Sequence, residues 1–107
     1  MTQEELETVA KVLGWEPTKS VDLRGRQIYR RGKKELVGNS LSDLNILIPE
    51  LERWCKERGC WWSMTCAPEF KRYDVHLYGD EEVDSVLSEA PDLATAICKA
   101  LIATEGV

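Results

Sequence analysis

The stretches CWWSMTC at residues 60–66 and RYDVHLY at residues 72–78 decide the fold. The second alternates Tyr73, Val75 and Leu77 against Arg72, Asp74, His76 and Tyr78, the period of a strand with one face buried. The first is aromatic and rich in residues that fit a pleated sheet. Between them, APEFK is a short connection with a proline, a length that suits an antiparallel hairpin. Trp61 and Trp62 occupy successive strand positions, so their rings point to opposite faces. Both are buried if helices cover both faces. Otherwise the outward ring is exposed as a stacking platform or as part of an interface.

Upstream of this hairpin, Leu44, Leu47, Ile48, Leu51, Trp54 and Cys55 form an apolar stripe at helical spacing that runs to Gly59. Ser40 or Ser42 is the expected cap. Pro49 interrupts the stripe, but the phase is continuous across it, which predicts one helix kinked at the proline. Downstream, Ala94, Ile97, Cys98, Leu101 and Ile102 predict a last helix over about residues 91–104, with Ser88 ahead of it and Pro91 in its first turn. At the start of the chain, Thr2 and Glu5 have capping-box spacing, and Leu6, Val9, Ala10 and Leu13 recur at i, i+3, i+4 and i+7. This predicts a first helix over residues 2–13, ended by Gly14, with Trp15 and Pro17 in an extended loop. From Val21 to Gly38 the periodicity is poor. There Gln27 to Arg30 and Glu35 to Val37 flank RGKK, which could turn a second hairpin. The order is therefore α-(ββ)-α-β-β-α. It predicts an α+β fold in which a small antiparallel sheet packs between helices as an α-β-α sandwich. Its core should include Leu6, Val9, Leu47, Leu51, Val75, Leu77, Ile97 and Leu101.

The chain has 107 residues, which predicts a single domain over 1–107. With 43% hydrophobic and 31% charged residues it has the composition of a folded soluble chain. The opening MTQEELE is acidic where a signal peptide would be basic and then apolar, and no run approaches the length of a membrane span, so a cytoplasmic location is expected. The net charge of −5 opposes general nucleic-acid binding and adsorption to anionic membranes. One local exception stands out. Arg24, Arg26, Arg30, Arg31, Lys33 and Lys34 form a basic run with no acid from Leu23 to Lys34, answered by acids at Asp80, Glu81, Glu82, Asp84, Glu89 and Asp92. Most such runs are solvated surface, and these two could pair with each other.

Cys55, Cys60, Cys66 and Cys98 are spaced C-x4-C-x5-C-x31-C, which is neither a zinc knuckle nor a redox C-x-x-C. They are expected to be reduced core thiols that bind no metal. DEEVD at 80–84 lacks the spacing of a calcium loop. His76 is the single histidine. With Asp74 on the same strand face it could act as a base, and beside Cys60 or Cys66 on the partner strand it could support thiolate chemistry; the strand register decides. No nucleophile with its matching base is legible, so no catalytic residue, enzyme activity or cofactor is expected.

The helix ending in Gly14–Trp15, the Ser40–Asp43 opening into a helix, the aromatic hairpin and the closing AICKAL at 96–101 together resemble the phage ABA sandwich domain family over most of the chain. The resemblance implies a helix–sheet–helix fold in a phage or prophage accessory protein, with no known activity. Pro49 and the basic run depart from the family pattern. Two functions are weighed. The first is a non-enzymatic accessory protein acting through protein contacts with its own copies or a host protein. The second is a binder that sequesters a small anionic nucleotide, with Arg24, Arg26, Arg30, Arg31 and Lys33 gripping phosphate and Tyr29 stacking on the base.

Overall fold

The computed structural model describes residues 2–79 and 86–105. Its elements follow as α1 (Gln3–Val12), β1 (Glu16–Val21), β2 (Gln27–Arg31), β3 (Lys34–Val37), a 3-10 turn (Gly38–Ser42), α2 (Leu44–Arg58), β4 (Cys60–Ala67), a second 3-10 turn (Pro68–Phe70), β5 (Arg72–Gly79), β6 (Val86–Ala90) and α3 (Leu93–Glu105). The strands form two antiparallel three-stranded sheets, β1-β2-β3 and β4-β5-β6. The class is α+β, as the hydrophobic pattern indicates.

Local chemistry sets the ends of the elements. The Thr2 hydroxyl accepts from the Glu5 amide while the Glu5 carboxylate accepts from the Thr2 amide, so the capping box closes α1. Beyond it Gly14 takes φ 88°, and its N–H donates back to Lys11. α2 runs through Pro49 as one helix. Its cap is Asp43 and not the expected Ser40 or Ser42: the Asp43 carboxylate accepts from the Asn45 amide at 2.9 Å. Gly59 then ends α2 in the left-handed conformation. β4 and β5 pair without a break from Cys60–Gly79 to Ala67–Arg72. The RGKK turn also forms, joining β2 to β3 through Gly32 at φ 62°.

Two strands exceed the expected order. EPTKSV at 16–21 is β1 where an extended loop was expected, paired to β2 through a register shift between Pro17 and Val21. VLSEA at 86–90 is β6, pairing with β5. Ser88 consequently lies in a strand, donating to the Ala96 carbonyl at 2.6 Å. The α3 turn is closed instead by Asp92, which accepts from the Thr95 amide and hydroxyl. Pro91 therefore precedes the helix.

All eight expected core residues are buried in one hydrophobic cluster. The layering differs from a sheet held between two helical layers. α3 lies on β5 and β6, α2 reaches β4, and α1 packs on α3 rather than on a sheet. Leu41, in the first 3-10 turn, is fully buried where that turn meets α1 and α2. One face of the second sheet is thus covered by helices; on the other, Trp61 and Leu87 are 56% and 72% exposed. α1 buries Leu6, Val9 and Ala10 against α3 and the first 3-10 turn, without a sheet of its own.

Candidate functional site

The six residues weighed as an anion site do not converge. Arg26 is drawn back into the β1–β2 turn, where Asp22 accepts from its Nε at 2.6 Å and from the amides of Arg24 and Arg26. These bonds hold the Asp22 carboxyl below the usual carboxylate range, the Arg26 amide contributing most. Arg24 is exposed in that same turn, and Lys33 is exposed in the turn at the other end of β2. Arg30 points outward and lies 3.6 Å from Glu35 across the hairpin. Tyr29, 3% exposed, presents no ring face on which a base could stack. Arg31, its neighbour two along, faces the same interior. Among the described residues, the acids that answer this run are Asp22, Glu35 and Glu50. Of the acids over 80–92, Glu89 pairs with Arg72, and Asp92 caps α3. Residues 80–84 lie outside the described residues.

Arg31 instead enters a cluster that the sequence does not announce. Glu50 on α2, 8% exposed, accepts from Trp15 Nε1 at 2.6 Å, Arg31 Nη1 at 2.8 Å and Arg53 Nε at 3.1 Å. The Arg31 guanidinium lies over the Trp15 ring at 4.3 Å, and Arg53 also donates to the Leu13 carbonyl at 2.6 Å. Burial pushes the Glu50 carboxyl up, but the bonds from Arg31, Arg53 and Trp15 outweigh it and hold the group below its ordinary value. With Oε1 accepting twice and Oε2 once, this cluster ties α1, β2 and α2 together. The signal was Glu50's place one turn from Leu47 and Trp54, on the buried side of the stripe.

The register of β4 and β5 separates the thiols from the histidine. Cys60 lies opposite Gly79, Cys66 opposite Tyr73 and Ser63 opposite His76, so His76 shares the outer face with Ser63 while both cysteines project from the other. A Cβ on Gly79 would lie 2.7 Å from the Cys60 Cβ, which is why glycine ends β5. All four cysteines are thiols. Cys55, Cys60 and Cys98 are buried as expected, whereas Cys66 is exposed at the uncovered end of β4. Burial pushes the thiols of Cys55 and Cys98 up to about 12, with a bond to Cys60 adding to the effect at Cys55. A thiol of that acidity holds almost no thiolate at neutral pH. Ellman's reagent should therefore label Cys66 rapidly in the folded protein and reach the other three only on unfolding. Rapid loss of more than one thiol equivalent before unfolding would contradict this burial.

What the fold does bring together is the outer face of the second sheet. Trp61 and Tyr78, paired across β4 and β5, stack with centroids 6.2 Å apart and planes at 25°. His76 lies 4.9 Å from Tyr78 on the same strand and is paired on its other side with Leu87. Tyr78 is 39% exposed and Leu87 stands almost clear of the surface, so the strip is apolar and open. Toward the other end of the face the chemistry turns polar: Arg72 lies 3.3 Å from both Asp74 and Glu89. Phe70 in the adjoining turn is exposed beneath the Arg72 guanidinium. The alternation placed Trp61 and Trp62 on opposite faces, and the structure makes Trp61 the open one and Trp62 the half-buried one. Leu87 was missed because β6 was. Compared with known proteins, the chain matches no family model, no curated protein and no solved structure.

Proposed function

We propose that this chain is a non-enzymatic accessory protein that works through protein contacts, associating with its own copies and presenting an aromatic surface to a further protein. The observation that carries this reading is the open strip of Trp61, Tyr78 and Leu87 on a sheet whose opposite face is largely covered by the helices. Tryptophan and tyrosine supply large contact area at low entropic cost, and such rings concentrate in the centres of interfaces. An accessory role is also what the resemblance to the phage family implies. The anionic-nucleotide reading is weaker, because its arginines are dispersed to Asp22, Glu35 and Glu50 and its tyrosine is buried. Among the described residues no helix is long and apolar enough to cross a membrane.

The reading is tested by sedimentation equilibrium over micromolar to millimolar concentrations, beside a thermal-shift panel of nucleotides. A concentration-dependent oligomer with no nucleotide response is the expected result. A monomer throughout, stabilised by a nucleotide, would overturn the reading; saturation at about a hundred times the dissociation constant contributes about 2.7 kcal/mol and moves the melting point visibly.

A further inference from the structure

An unpaired strand edge is a row of hydrogen-bonding groups open to any other strand, and folded proteins blunt such edges with charge, proline, bulges or brevity. Three of the four edges of these two sheets carry those devices. β1 has Pro17, Lys19 and a register shift; β3 is four residues long and contains Lys34 and Glu35; β6 is five residues long and contains Glu89. β4 has none of them. It is eight residues long, CWWSMTCA, without charge or proline, and its register with β5 is unbroken. Among the described strands it alone carries no charged residue. Its other side has no strand partner among the described residues, and from Ser63 to Cys66 every residue is exposed.

We propose that the β4 edge pairs antiparallel with the β4 edge of a second copy, joining the two second sheets into one of six strands; this rests on the self-association read above and specifies its mode. The second copy is singled out by charge. Each molecule carries −5, so two copies meet favourably where charge is absent, and β4 is that place. Antiparallel pairing sets residues of the same face opposite one another. A two-fold axis at Ser63 then places Trp61 opposite Thr65 and Trp62 opposite Met64 of the second copy. Met64 belongs to the helix-covered face yet is 47% exposed, because the helices stop short of it. The second Trp62 covers it. On the outer face, the two Trp61–Tyr78 stacks come onto one continuous surface.

Sedimentation equilibrium on the full chain and on Ser63→Lys, Thr65→Lys and Leu87→Lys tests this, with circular dichroism to confirm folding. Each lysine lowers the net negative charge, so general repulsion cannot explain a lost dimer. Ser63→Lys should weaken the dimer by on the order of tenfold or more, since like charges then meet across the axis. Thr65→Lys faces Trp61 of the second copy and, adding only a charge to the edge, should weaken it less. Leu87→Lys, on the far strand of the same face, should leave it essentially unchanged. Dissociation by Leu87→Lys alone would mean that the sheets meet face to face: the edge pairing falls while self-association stands. A wild-type monomer at every concentration removes both. Should all three variants dissociate, isotope-filtered NOEs between labelled and unlabelled wild-type copies decide: contacts between the two β4 strands support the pairing, and their absence in a dimer refutes it.

Discussion

Glu50→Ala should destabilise the fold by about 3 kcal/mol, the low end of the cost of breaking a buried ion pair. The low end applies because the side chains of Arg31 and Arg53 keep 23% and 28% of their exposure and can recruit water once the carboxylate is gone. Trp15 is worse placed, since it is buried and its Nε1 loses the acceptor at 2.6 Å. Against a total of about 5–15 kcal/mol for a domain of this size, such a loss is large, and it lowers the melting temperature by on the order of 15 °C. Glu50→Gln keeps an acceptor for Trp15 but no charge, so it should fall between alanine and wild type. The carboxyl is depressed in the folded state, so its charge contributes fully above the ordinary glutamate value of 4.5 and is lost as pH falls through the lower folded value. The gap between wild type and Glu50→Gln in urea denaturation should therefore be widest at neutral pH and shrink in acid. An equal gap at both would show that the charge contributes nothing.

Why the sequence announced some of this fold and not the rest follows from where each element gets its stability. The 72–78 strand, α1 and α2 bury one side against the core, so their apolar residues recur at the period of the element. β1 buries nothing: EPTKSV holds to β2 through its backbone, and its single large apolar residue, Val21, is exposed. β6 does alternate, with Val86 and Ala90 inward and Leu87 and Glu89 outward, but only five residues show it, hard against an acidic segment. The Glu50 cluster was illegible for another reason. Trp15 lies 35 positions from Glu50 and Arg31 lies 19, so the acid's helical position hinted at burial while its partners depended on how α1 and β2 pack. The basic run was dispersed by the same route: three of its arginines lie against carboxylates of the chain itself. The open aromatic face depended on the placement of α1, which the local pattern of Leu6, Val9 and Ala10 leaves undetermined.

That placement makes α3 the centre of the molecule, and the second large effect is expected there. On one side α3 meets β5 and β6, on the other α1. Ala96, Ile97, Cys98, Ala100 and Leu101 consequently show no exposure, so the helix is buried nearly all round instead of along one stripe. Small residues at 96 and 100 let neighbouring elements approach, and Ile97 and Leu101 fill the space between them. Ile97→Ala removes three carbons from a site closed on every side, where little collapse can follow. A loss of about 2–5 kcal/mol is expected, offset by only about half a kcal/mol of improved helix propensity. Ala100→Leu errs in the other direction and should cost about 1–3 kcal/mol by overpacking. Lys99 lies between them in sequence but is exposed, and Lys99→Ala should stay within about 0.5 kcal/mol of wild type. Urea denaturation of the three variants reads the contrast directly. If Ile97→Ala costs no more than Lys99→Ala, α3 is not packed between the sheet and α1, and the outer face of β4, β5 and β6 need not be the open one.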